Sequence, residues 1–288
     1  MLSCTISGDT RAPGCCRLAG SHRGQARVRR YPSDTTDAQW AVIDRLLPEP
    51  SWLAGRGGRP ESHCRRQVVD AILYVLDNGI KWRALPADFP PWSTVFRRFA
   101  TWAAATGSMM DALTDRARLA AGRTAAPSAA VIDSQSVRAA ETVSRDSRGW
   151  DNAKKVNGRK RHIAVDTQGL PLAVMVTPAS TQDRAAAWPL LTHLRHTNTR
   201  ARHVWADGGY SGYPVETATD LDFTIEIVNR PRNHPGFVVL PRRWVVERTL
   251  AWITRHRRCV RDYERTMTHH EAFIHWAITR ILTLRLTR

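Results

Sequence analysis

The sequence predicts an α/β protein, with a mixed-sheet domain over residues 126–288 preceded by a small all-α domain over residues 31–125. Three observations carry this. Between Tyr31 and Ala121 apolar residues recur at helical spacing, punctuated by Pro and Gly. After Ala125-Ala126-Pro127 the texture changes to strand-like runs at Ala129–Val137, His162–Val165 and Pro171–Val176. Helical and strand segments then alternate, as expected of a mixed sheet with helices packed on it.

Residues 1–30 hold six arginines against one aspartate without apolar periodicity, and read as a disordered basic leader or, alternatively, a DNA-grasping arm. Thr36-Asp37-Ala38-Gln39 has the form of a capping box ahead of Trp40, Val42, Ile43, Leu46 and Leu47. Pro48 and Pro50 stop that helix, and Gly55 to Pro60 form a basic loop. A second helix is expected over about Cys64–Leu76, closed by Asn78-Gly79. Ser93 is the expected N-cap of a third, with Val95, Phe96, Phe99 and Trp102 inward and Thr94, Arg97, Arg98 and Thr101 outward. Gly107 is expected to break it before a further helix at 108–121. Two short helices joined by a tight turn, the second carrying exposed Arg and Thr, resemble a helix-turn-helix unit, against a plain bundle with a solvated basic face.

In the second half, Asp166-Thr167-Gln168-Gly169 joins two strands as a hairpin turn. A helix over Ala185–Leu194 follows, then strands at His203–Ala206 and Phe223–Val228, and a helical C-terminal region from Trp244.

Composition narrows the function. The 288 residues include 43 Lys and Arg against 26 Asp and Glu, a formal charge of +17 and a pI near 10.9. Such an excess points to a polyanionic partner, nucleic acid before membrane. Lysine occurs only at positions 81, 154, 155 and 160, so arginine bias shapes the composition but does not create the imbalance. Five cysteines, an odd count without a CxxC pair, suggest neither a disulfide framework nor a zinc finger and fit a reducing compartment. No run is apolar enough for a membrane span, and no GxxxxGK[ST] loop suggests an ATP-driven machine. A cytoplasmic, nucleoid-associated protein is expected.

Three carboxylates stand out. Asp133 lies inside the apolar strand Val131-Ile132-Asp133-Ser134, where a buried charge needs a partner. Asp207 follows Trp205-Ala206 at the carboxyl end of a strand and opens a glycine turn. Glu247 lies four residues after Arg243 on one helix face. Each alone reads as a turn residue or a surface ion pair. Together they can form a hard oxygen site for Mg²⁺ (or Mn²⁺), and two such ions about 4 Å apart serve phosphoryl transfer. Cations surround them: Arg145 to Arg161 holds seven basic and two acidic residues, and Arg242 to Arg265 eight and three. Lys154, Lys155, Arg159, Lys160, Arg243, Arg248 and Arg255, with Arg97 and Arg98, are the expected phosphate contacts. Asp166 and Asp183 compete for the carboxylate role, but Asp166 reads as a hairpin turn residue and Asp183 as a helix cap.

These blocks resemble the bacterial insertion-sequence transposases of the insertion-sequence-five family, of the Asp-Asp-Glu type. The resemblance is carried by Tyr31-Pro-Ser-Asp-Thr-Thr-Asp-Ala-Gln-Trp40, Val131-Ile-Asp-Ser-Gln-Ser-Val137, Lys154 to Thr167, Trp205-Ala-Asp-Gly-Gly-Tyr-Ser-Gly212, and Arg242-Arg-Trp-Val-Val-Glu-Arg248 with Ala251-Trp252. It implies a ribonuclease-H-like catalytic domain and assigns Asp133, Asp207 and Glu247 to the triad. It further implies Mg²⁺-dependent cleavage at element ends, attack of a 3′-OH on target DNA, and recognition of terminal inverted repeats by the N-terminal helices. Synapsis of two ends implies a homodimer or larger. Arg243 matches the arginine of the family's Tyr-x2-Arg-x3-Glu-x6-Lys signature. Leu240 stands in place of its tyrosine and Thr254 in place of its lysine, with Arg255 adjacent. A catalytically silent DNA-binding protein and a nuclease without strand transfer are the alternatives.

Overall fold

A computed structural model of the chain describes residues 28–55, 57, 60–228 and 242–288. Most of the basic leader, part of the 55–60 loop and Leu240 lie outside the described residues.

Eight α-helices and six strands are described: α1 (Asp37–Asp44), α2 (Arg65–Asn78), α3 (Trp92–Trp102), α4 (Thr106–Ala120), β1 (Ala129–Arg138), β2 (Gly149–Asp151), β3 (Val156–Val165), β4 (Pro171–Pro178), α5 (Asp183–Thr197), β5 (His203–Ala206), α6 (Tyr213–Thr217), β6 (Thr224–Ile227), α7 (Arg243–Thr254) and α8 (Met267–Leu286). None of the described helices is long and apolar enough to cross a membrane.

Local chemistry explains the helix ends. Thr36 caps α1 with the reciprocal bonds of a capping box, its side chain accepting from Gln39 N–H and the Gln39 side chain accepting from its own. Gly79 closes α2 in the left-handed region at φ 67°. Two expectations are corrected. Pro91, not Ser93, is the N-terminal boundary of α3, because Pro90-Pro91 already hold the backbone extended and leave Trp92 as the first helical residue. Gly107 does not break the chain. The interruption is a three-residue 3₁₀ turn at Ala103–Ala105, after which Thr106 Oγ1 donates to Ala103 O at 2.7 Å and α4 runs through Gly107.

The sheet is mixed. β3 pairs antiparallel with β1 along one edge and with β2 and β4 along the other. β1, β5 and β6 are mutually parallel neighbours in that order. β3 begins at Val156, well before the expected His162, because Arg159, Lys160 and Arg161 are buried strand residues rather than a solvated basic loop. Gly158 makes this pairing close: a Cβ there would stand 1.9 Å from Val137 O. One face of the sheet packs Ala130, Ile132, Ala164 and Leu172 against Leu190, Leu191 and Leu194 of α5. The other packs Val131, Ile163, Val165 and Val176 into a core shared by α1–α4, α7 and α8. Alternation along β1 therefore turns Asp133 toward the α7 face and Ser134 toward the α5 face.

Candidate active site: three carboxylates on one arginine

Parallel pairing sets the two aspartates side by side. Val131 is in register with Trp205, and Asp133 and Asp207 each lie two residues further on, Asp133 within β1 and Asp207 just past the carboxyl end of β5. Asp207 turns the chain into Gly208–Tyr210 and accepts from Gly209 N–H at 2.9 Å. Helix α7 crosses this end of the sheet and brings the third acid. Arg243 Nη2 lies 3.5 Å from Asp133 Oδ2, 3.6 Å from Asp207 Oδ2 and 3.7 Å from Glu247 Oε1. All three expected triad oxygens thus converge on one guanidinium nitrogen. Among the described residues no three acids, histidines or cysteines stand in ligand geometry as they are; the arginine occupies the space between the carboxylates.

Electrostatics at the centre follow from burial. Asp133 is pushed up to about 6, first by desolvation and then by the Asp207 charge, against the pull of Ser134 N–H, Arg243 and Lys154. Asp207 is half-buried and Glu247 exposed, so the site grades from a dry aspartate to a solvated glutamate.

Sequence reasoning missed two neighbours. Asp183 is the first residue of α5 rather than its cap, since Gln182 holds that position. Its Oδ1 accepts from Ser134 Oγ at 2.8 Å and pairs with Lys160 Nζ at 3.1 Å. A Cβ on Gly209 would lie 3.0 Å from Asp207 Oδ1 and 3.1 Å from Asp183 Oδ2, so the two carboxylates flank one glycine. Tyr210 is fully buried, and its hydroxyl has no hydrogen-bond partner among the described residues. Burial and the charges of Asp183, Asp133 and Asp207 raise its proton affinity, keeping it neutral. The polar tripeptide after Asp133 and the Tyr in Asp-Gly-Gly-Tyr were the available signals. Asp166, by contrast, serves the hairpin turn, accepting from Gln168 and Leu170 N–H and pairing with buried Arg118.

The expected phosphate contacts separate by exposure. Lys154 and Lys155 are exposed beside the site, and Lys154 Nζ donates to Ser134 O at 3.0 Å. Arg97 is exposed on α3, while Arg98 pairs with buried Glu61 at 3.2 Å. Arg255 is exposed just beyond Thr254. Arg248 lies between the rings of Trp244 and Trp252, 4.4 and 4.7 Å from their centroids. Three assignments are corrected. Arg159 is fully buried, bound to Asp262 at 2.9 Å and to the carbonyls of Glu264, Arg265 and Thr266, so it reaches no DNA. Lys160 is buried against Asp183, Asp151 and Thr181 O. Arg243 faces the carboxylates themselves rather than a free phosphate surface.

Comparison with known proteins agrees with this geometry. Residues 124–283 match the family model described as Transposase DDE domain, and residues 35–108 match Putative transposase of IS4/5 family. The chain is 34% identical over 145 residues to "Putative transposase for insertion sequence element IS402" of Burkholderia cepacia, covering 45% of this chain and 68% of the relative. It is 37% identical over 109 residues to "Insertion element IS402 uncharacterized 16.2 kDa protein" of the same organism, covering 36% of this chain and 71% of the relative. No solved structure matches. With the family model covering more than half its length and the acids of β1, α7 and the turn after β5 gathered on Arg243, the chain belongs to the DDE transposases of the IS4/5 group, enzymes that act on DNA.

Proposed function

We propose that the chain binds the terminal inverted repeats of an insertion sequence, cuts the DNA at their ends and joins the freed 3′-OH to target DNA, on a ribonuclease-H-like scaffold. The observation that carries this reading is the convergence of Asp133, Asp207 and Glu247 on one cationic nitrogen. The donor set is oxygen alone and anionic, which suits Mg²⁺ or Mn²⁺ rather than a softer ion. A cation already stands among the acids, so the site tolerates positive charge there. Asp133, Asp207 and Glu247 would hold the divalent ions, which supply Lewis acidity toward a phosphodiester and toward the attacking oxygen.

The chain's own residues do the rest. Asp133 is fixed by the sheet and by Ser134 N–H, 2.7 Å from its Oδ1. The turn at Gly208–Gly209 lets Asp207 approach Asp183 closely. Lys154, Lys155, Arg248 and Arg255 line the flanks and position phosphates, giving affinity and salt sensitivity without sequence information. The exposed face of α3 with Arg97 is the candidate reader of the repeat. Two ends brought together would need at least a dimer, acting in the bacterial cytoplasm at the nucleoid. The test is strand cleavage and joining of inverted-repeat DNA with Mg²⁺ by the wild type and Asp133→Asn. The variant should retain DNA binding and lose both reactions; cleavage that survives removes the assignment. A wild type that binds without cutting would leave a DNA-binding repressor, and one that cuts but never joins pre-cleaved ends would leave a nuclease.

A further inference from the structure

A cavity of about 640 Å³ opens at the opposite end of α7 from the carboxylates, within the size range of nucleotide-scale pockets. Its floor is apolar, built from Leu170, Pro171, Trp252, Ile278, Ile281 and Leu282. Its lining is also cationic, with Arg255, Arg285 and Arg288 exposed and Arg280 buried. The acid among the lining residues, Asp77, is already engaged: it bonds His256 and lies 3.9 Å from Arg280. Arg255 and Arg285 are exposed, and among the described residues no carboxylate pairs with either. Arg248 adds to the excess: its Nε is buried without an acceptor, and burial, then the Arg285 charge, lowers its proton affinity. Like charges gathered over an apolar floor with no counter-anion make a site for an anion that also carries an apolar face.

The geometry of α7 ties this cavity to the carboxylates. Arg255 lies eight residues after Glu247, about 12 Å further along the helix. The stack Trp244–Arg248–Trp252 fills the interval on one helix face. Paired bases of a duplex do not fit a cavity of this volume, whereas one unpaired nucleotide does. We propose that the cavity holds an unpaired nucleotide of the DNA strand that runs from the carboxylate centre along α7, its phosphate on Arg255 and Arg285 and its base against Trp252. This rests on the reading that the centre works on DNA.

The test uses the full chain without divalent metal, so that nothing is cut, and fluorescence anisotropy with labelled inverted-repeat duplexes that are blunt or carry a single-stranded overhang. Wild type should prefer the overhang by about tenfold, ~1.4 kcal/mol. Arg285→Gln should erase that preference and leave blunt-duplex affinity unchanged. On the overhang substrate it should also flatten the dependence of log K on log salt by ~0.7, the slope of one lost single-strand contact. Arg285 is exposed and among the described residues pairs with no carboxylate, and an unchanged thermal melt confirms the fold. The proposal is overturned by a wild type without overhang preference, by equal loss on both substrates, or by free dAMP saturating the cavity where the overhang gives no gain. Cleavage by Asp133→Asn would sink the functional reading while leaving an overhang preference standing, so the two failures are distinguishable.

Discussion

Arg243 and Asp133 form the tightest of the contacts that hold the guanidinium among the three acids, at 3.5 Å. A cation fixed there lowers the mutual repulsion of the carboxylates and competes for the place of a divalent ion. Arg243→Gln should therefore bind Mn²⁺ more tightly in the absence of DNA. The Coulomb term at such a distance is about 1 kcal/mol in water and more in a protein, so a fivefold or greater gain is expected in a calorimetric titration. Unchanged or weaker binding would show that the arginine organises the acids rather than occupying their site.

The buried pair of Arg159 and Asp262 makes the second prediction. A phosphate-contacting arginine, when removed, weakens DNA binding and spares stability. Arg159 is bonded on all sides, so Arg159→Met leaves Asp262 buried without an arginine partner, its Oδ1 2.8 Å from the His270 ring, which burial and the Arg161 charge hold toward its neutral form. A loss of about 3 kcal/mol or more is expected in urea unfolding. A variant of wild-type stability with weakened DNA affinity would restore the original assignment.

That pair also shows where the sequence stops being legible. Helix and strand periods, the capping box and the Asp166 turn were readable because each is decided within a few residues. The neighbouring basic run was not. Asn157-Gly158-Arg159-Lys160-Arg161 has the composition of a solvated loop, and it is partners distant in sequence that make it a buried strand, the 259–270 segment for Arg159 and Arg161 and Asp151, Thr181 and Asp183 for Lys160. The triad was legible through family resemblance; its physical cause, the parallel register of β1 with β5, is a long-range pairing that no local pattern specifies. Asp183 was misjudged for the same reason, since Ser134 and Lys160, which orient it, come from two other strands.

Tyr210 supplies the third prediction. A buried hydroxyl without a partner costs about 1–3 kcal/mol, so Tyr210→Phe should melt at the wild-type temperature or above it. The hydroxyl stays protonated in the field of Asp183, Asp133 and Asp207, free to donate to a group brought into the site. Its loss should slow DNA cleavage at least tenfold, by about 1.4 kcal/mol of barrier. Raised stability with undiminished cleavage would reduce the hydroxyl to a tolerated defect.

The pH dependence of stability should be visible at Asp111, on α4 and away from the carboxylate centre. This half-buried carboxyl is raised to about 6, first by desolvation and then by Asp115 one turn on. Its native pKa lies above the unfolded value, so the native state binds the extra proton between about pH 4 and 6. Stability therefore falls as pH rises through that window, and the penalty is fully present above it. Two pKa units correspond to about 3 kcal/mol, and screening at a partly solvated site lowers this to about 1–2. Asp111→Asn should be more stable than wild type by that amount at pH 7.5 and equal to it near pH 4, in urea titrations at the two pH values. A gain of equal size at both would assign the effect to packing or helix propensity instead of charge.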